Sequence, residues 1–335
     1  MNTPLSSFHL RLRPDPHRIL AFIRTSALCV LALSLTPLSA PAKSDPIDVG
    51  EFPTFIAADP VRNFVYVAAG TLGNGTIFAI DTKTNAPVYT LFIGAVPLGV
   101  AISPDGQLLY VSTDNNTLDV FSLDLREFLY SYTTGSTPGI PGVSPDGSIV
   151  FVPNRGDGTV SAFEGELLTA ITTGGAPMQV AFTPDGKNAY VTTGVGISVI
   201  NIATLSPTPI SGLTEGGFGL AITPNGSTVY VTSNLGTIVY AIATSDNSVT
   251  PITVSITGLD FLNFPAMDTS GKFLYVPASS FTRNINEVLT VETKTNAIFN
   301  QTIDVGFLPQ QVAIKGKFGY CTNVDSNTVS VFKVK

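Results

Sequence analysis

Apolar and polar positions alternate with a period of two through many short stretches of this chain, as in ISVINI (Ile197 to Ile202) and TVSVFKVK at the C-terminus. That alternation, rich in β-branched residues, suits half-buried strands. No segment sustains a helical period, so the pattern predicts an all-β protein. The stretches recur in a larger unit: an apolar run, a tight turn, then a second run centred on an aromatic. Seven copies are visible: DPVRNFVYVAA, SPDGQLLYVST, SPDGSIVFVPN, TPDGKNAYVTT, TPNGSTVYVTS, DTSGKFLYVPA and IKGKFGYCTN. Their aromatics, Tyr66, Tyr110, Phe151, Tyr190, Tyr230, Tyr275 and Tyr320, lie 39 to 45 residues apart. Short strands at that period predict propeller blades.

Each unit reads as four strands. A stretch such as PMQVAFT (Pro177 to Thr183) comes first. The turn PDG follows, in which proline presets φ, aspartate bonds its own backbone and glycine takes the positive φ. A strand such as NAYVTT is next, then a loop into ISVINI, and a turn such as TKTN (Thr82 to Asn85, Thr293 to Asn296) before the outer strand. The last unit stops after its third strand. The missing piece is supplied by the tetrapeptide IDVG, which occurs at Ile47 to Gly50 and again at Ile303 to Gly306. In the second occurrence it ends the sixth unit and leads into the first strand of the seventh. By the same register, residues 46–49 complete the last blade. The expectation is therefore a seven-bladed β-propeller of four-stranded antiparallel blades, closed by its N-terminal strand, which removes the exposed sheet edges of an open array.

Composition changes the picture mainly through the first 42 residues. Arg11, Arg13, Arg18 and Arg24 precede an apolar run from Ala27 to Leu35, and SAPA follows. This is the plan of a secretory signal peptide cleaved after Ala40 or Ala42. The apolar run is well short of the roughly 20 residues a membrane span needs. The expected organisation is a leader over 1–42 and one propeller over 43–335, exported to the periplasm, cell surface or medium. The whole chain has 17 Lys and Arg against 24 Asp and Glu. Four of the basic residues and one acid, Asp15, fall in the leader. An acidic body repels phosphate backbones, so nucleic acid is not an expected partner.

Both histidines, His9 and His17, and one of the two cysteines, Cys29, also lie in the leader. The processed chain then has no imidazole for a general base, a Ser/His/Asp triad or a zinc site, so no metal or cofactor is expected. Cys321 occupies the place where Val67, Val111, Val152, Val191, Val231 and Val276 stand in the other units, which predicts a buried, inert thiol.

The PDG turns, the YV pairs, the NTV strand start (Asn327 to Val329) and the GxxP segments (Gly94 to Pro97, Gly306 to Pro309) together resemble the YVTN repeat family of seven-bladed propellers over residues 45–335. The tetrapeptide itself is approached only as YVTT, YVTS and YCTN. The resemblance implies an exported, noncatalytic binding protein. It implies equally a component of a cell-surface layer and, more distantly, a lactonase-type hydrolase, although the polar constellations of such hydrolases have no counterpart here.

In such a ring the loops leading into the inner strands and those between second and third strands share one face, and the PDG turns lie on the other. Variable loops on a rigid scaffold are the usual seat of function. Arg155 and Arg283 map to the loop face against Glu51, Asp114, Asp157, Glu215, Asp260, Glu287 and Asp325. Arg62, Lys83, Arg126, Lys187, Lys272, Lys294, Lys315 and Lys317 map to the turn face. Two guanidiniums across the mouth suit a ligand anion; the alternative is that each pairs with its neighbour, Asp157 or Glu287. Phe52, Phe218, Phe264 and Phe307, with Gln179, Gln310 and Gln311, suit a sugar or peptide end in the channel mouth; the alternative is packing between blades. Arg155, Gly156 and Asp157 spell RGD at a hairpin position where turn chemistry already demands Gly and Asp. The expected partner is a small molecule, glycan or protein on the loop face of a monomer.

Overall fold

The computed structural model describes residues 45–236, 238–299 and 301–335. The leader reading of 1–42 lies outside them. Among the described residues all regular structure is β, arranged in seven sheets that follow one another along the chain. Blade 1 comprises the strands Phe55–Ala58, Phe64–Ala69, Thr76–Asp81 and Ala86–Phe92. Each blade is an antiparallel meander. Blade 7 takes its fourth strand from the other end of the molecule: Ile47–Asp48 pairs antiparallel with Thr328–Lys333, Ile47 opposite Val329 and Asp48 opposite Thr328. Val49 N continues the ladder to Asn327 O at 3.0 Å. Ile47 is buried among Ile56, Val65, Val67 and Ile80 of blade 1 and Ala313, Tyr320, Val329 and Val331 of blade 7. The closing strand therefore joins first blade to last through its side chain as well as its backbone.

The repeated residues have specific work between blades. Tyr320 donates its hydroxyl proton to Asn85 Oδ1, Tyr190 to Asn247 Oδ1 and Tyr230 to Asn296 Oδ1, each at 2.9 Å and each reaching the next blade. Those asparagines sit at φ of 53°, 59° and 54° in the turns before the outer strands, a conformation asparagine tolerates better than most residues. Where the aromatic is Phe151, the residue in the next blade's turn is Leu205, and the two share one apolar cluster. The polar pair has become an apolar pair. Two residues after the aromatic, Ser112, Thr192 and Thr322 donate to Gly139 O (2.7 Å), Phe218 O (2.7 Å) and Thr54 O (3.0 Å) of the following blade. In the PDG turns, Ser103, Ser144 and Thr183 donate to Asp105, Asp146 and Asp185 at 2.6 Å. The hydroxyl of Ser144, with the Ser148 amide and hydroxyl, lowers the Asp146 carboxyl to about 2.

Blade 6 departs from the regular pattern. Its inner strand is split into Phe261–Leu262 and Ala266–Met267, and its outer strand into Ala297–Ile298 and Ile303–Asp304. Pro265 has no N–H for the ladder, and Phe264 instead bonds blade 7, its N to Gln310 O at 3.0 Å.

Cys321 is fully buried, and burial pushes its thiol pKa up. In a C29S background the folded protein should resist an aromatic disulfide reagent at pH 8 and react fully once unfolded. Rapid labelling of the folded state would contradict this placement.

Candidate functional site

The inner strands run side by side around the axis, and their side chains decide whether a channel exists. Phe264 of blade 6 stacks on Phe218 of blade 5 (4.6 Å, 28°) and tilts against Phe55 of blade 1 (5.8 Å). Blades 6 and 1 are separated by blade 7, so the second contact crosses the axis. Val100, Ile140 and Met178, from blades 2, 3 and 4, belong to the same apolar cluster. The centre of the ring is therefore filled by an apolar plug. Phe264 is 1% exposed and presents no ring face to solvent. Phe218 is half-buried against it.

The inner-strand glutamines are also committed. Gln179 Oε1 accepts from Leu220 N of blade 5 at 2.8 Å, and Gln311 Oε1 accepts from Ile56 N of blade 1 at 2.9 Å. Gln179 and Gln311 make bridges to Ile140 and Phe264 on the preceding blades. These amides link neighbouring inner strands, which lie too close for ordinary side chains. At Gly99 and Gly219 an added Cβ would come within 2.6 Å of Ile140 Cα and 2.8 Å of Phe264 Cα.

On the loop face, polar side chains tie the lead-in loops of blades 2, 3, 6 and 7 to the hairpins of the same blades. Asn154 Oδ1 accepts from Gly135 N (3.1 Å), while its Nδ2 donates to Thr159 and Ser161 (2.9 Å each). Asn323 repeats the arrangement with Gly306, Thr328 and Ser330. Asp114 accepts from Val96 N (2.8 Å), and Asp260 from Phe281 N (3.0 Å). Asp157 belongs to this set, its Oδ2 accepting from Ser136 N at 2.6 Å. The RGD aspartate is thus a loop fastener, while Arg155 and Arg283 are exposed. Ion pairs among the described residues join Arg62 to Asp59 and Asp124, and Lys187 to Asp185. The expected surface pairs Arg155 with Asp157 and Arg283 with Glu287 are not formed. Turn-face cations, in contrast, stitch blades: Arg62 reaches Asp124 of blade 2, and Arg126 lies over the Tyr89 ring at 4.3 Å.

Two further features of this face go beyond Phe52, Phe307 and Glu287, which the sequence nominates. Large apolar side chains exposed on its loops include Phe52, Leu72, Val195, Leu235, Phe261, Phe281 and Phe307. They range from 38% for Phe261 to 84% for Leu72, and Phe261 and Phe281 pack edge to face at 5.4 Å. A signal was available: Leu72, Val195 and Leu235 are lone apolar residues beside the glycines of tight turns, where burial is impossible. The second feature is a hollow of ≈ 300 Å³ lined by Asn284, Asn286, Glu287, Asp304, Val305, Gly306, Phe307 and Ser326. Glu287 stands opposite Asp304 in the antiparallel ladder. Of the sequence-nominated residues, this hollow gathers Glu287 and Phe307; the plug takes Phe218 and Phe264. No group of three or more His, Cys, Asp or Glu side chains among the described residues is placed to hold a metal ion.

No protein-family model and no curated protein matches the chain. Among solved structures it is similar to a chain of Kuenenia stuttgartiensis hydrazine synthase, with a TM-score of 0.73 and 20% identity over 89% of this chain and 98% of that one. It is similar also to the β-propeller domain of Myceliophteria thermophila Cps50 (Swd1), with a TM-score of 0.73 and 11% identity over 87% and 100%. At these identities the likeness is one of fold. The chain is a seven-bladed β-propeller.

Proposed function

We propose that this propeller is an exported, noncatalytic binding module that engages its ligand on the loop face. The observation that carries the reading is the contrast between axis and rim. The axis, where a ring of loops would converge on a substrate, is occupied by Phe55, Phe218 and Phe264. The loop face around it is fastened by side-chain hydrogen bonds, bears exposed apolar groups and holds a hollow. Rigid, partly apolar surfaces suit recognition, because little conformational entropy is lost on docking. The leader and the resemblance to the YVTN repeat family support export.

Two measurements test this. Expression of the full chain in a host with a secretory pathway should yield processed protein outside the cytoplasm, starting at Pro41 or Lys43; intact cytoplasmic protein would contradict export. Incubation of the purified protein with a lactone panel should show no hydrolysis above background. Turnover lost on E287Q or D304N would replace the binding reading by the hydrolase one.

A further inference from the structure

The exposed apolar groups are not spread evenly around the ring. Phe52 and Leu72 belong to blade 1, Val195 to blade 4, Leu235 to blade 5, Phe261 and Phe281 to blade 6, and Phe307 to the loop leading into blade 7. These blades form one unbroken arc, from 4 through 7 to 1. The hairpins of blades 2 and 3, TDNNT and NRGDGT, contribute none. Along the arc stand Glu51, Glu215, Asp260, Glu287, Asp304 and Asp325, with Arg283 as the cation of the loop face there. An apolar surface of this kind normally marks an interaction site. Its charge selects the partner. Two copies meeting through this face would oppose carboxylate to carboxylate, and phosphate-bearing partners would be repelled in the same way.

We infer that the arc over blades 4 to 7 and 1 docks a basic polypeptide segment that also carries apolar side chains, with one basic side chain seated in the hollow between Glu287 and Asp304. The inference rests on the loop-face reading above and names its partner. Directly opposed residues of an antiparallel ladder hold their Cβ atoms about 5 Å apart, so one ammonium or guanidinium can bridge the two carboxylates and offset one of their two charges. Phe307, 54% exposed at the rim of the same hollow, offers an apolar wall to the methylene stem of that side chain. Leu235 and the Phe261–Phe281 pair supply contact area for the apolar residues on either side. Unlike Arg62 and Arg126 on the turn face, which link blades, Leu235, Phe281 and Phe307 turn their side chains to solvent.

The test uses fluorescent short peptides: one of lysines and leucines spaced by serine and glycine, a second with glutamate for lysine, and a third with serine for lysine. Binding to the purified protein is followed by anisotropy at low and raised salt. The lysine–leucine peptide is expected to bind, more weakly as salt rises. The L235S/F281S double variant should weaken it by about tenfold or more, and E287Q/D304N several-fold with a flatter salt dependence. F128S, on the outer strand of blade 2, should leave peptide binding unchanged, and L235S/F281S and E287Q/D304N should melt close to wild type, since Leu235, Phe281 and Asp304 are exposed and Glu287, half-buried, is replaced by an amide of the same shape. If the serine–leucine or glutamate–leucine peptide binds as tightly and loses binding in L235S/F281S, the loop-face reading stands and the basic-partner inference falls. If lysine–leucine binding ignores every loop-face variant, both fall. No measurable binding of the lysine–leucine peptide overturns the inference alone.

Discussion

Deleting residues 45–50 should lower the melting temperature by about 10 °C or more and expose a sheet edge that drives association. Two losses add up. Ile47, 5% exposed, leaves a cluster shared by blades 1 and 7, a removal comparable to the ~2–5 kcal/mol of an Ile→Ala truncation in a core. The strand Thr328–Lys333 also loses the partner of its outer edge, freeing backbone groups that can pair with another chain. In a chain of this size each kcal/mol moves the midpoint by roughly 2–4 °C. Calorimetry and size-exclusion chromatography, run on the deletion and on wild type, read both effects. A deletion that melts and elutes like wild type would mean that the terminal strand is ornamental.

The second large effect is expected at the axis. Phe264→Ala should cost about 3–5 kcal/mol, the range for a buried phenylalanine whose surroundings cannot collapse. Its neighbours are held by other blades: Phe55 by blade 1, Phe218 by blade 5, and the backbone of Phe264 itself by Gln310 and Val312 of blade 7. The cavity therefore stays open. Phe307→Ala, in the loop leading into the next inner strand, should stay within about 0.5 kcal/mol because that ring is exposed. Urea unfolding of the two variants separates them. Equal, small effects would show that the axial rings do not pack as a plug.

The different fates of these two phenylalanines show what was legible in the sequence. Strand periodicity, the PDG turns and the spacing of the aromatics are local signals, and together they specified seven blades. The two IDVG copies specified closure, because register along a repeat carries over from one unit to the next. The fate of a side chain at the axis is instead a matter of which distant blades meet there. Phe218 and Phe264 lie three and two residues before the alanine that pairs with their blade's tyrosine, Phe52 and Phe307 five and six, and that difference in depth follows from a pairing register that their immediate neighbours do not display. Gln179 and Gln311 read as mouth amides for the same reason. Their role as links between inner strands depends on the close approach of neighbouring blades, which glycines such as Gly99 and Gly219 permit. Blade 6 departs in detail from the repeat because its inner strand is split on either side of Pro265.

The closed ring is tested most directly by a crosslink across its seam. Asp48 and Thr328 face each other in the ladder, and the hydrogen bond from Val49 to Asn327 makes theirs a non-hydrogen-bonded pair. Such pairs hold Cα atoms about 4.5 Å apart, within reach of a disulfide. Asp48→Cys combined with Thr328→Cys in a C29S background should therefore oxidise to an intramolecular disulfide in the folded protein, at full yield and with unchanged elution, while Cys321 stays reduced. Free thiols at both positions, or crosslinks formed only between molecules, would contradict the closure.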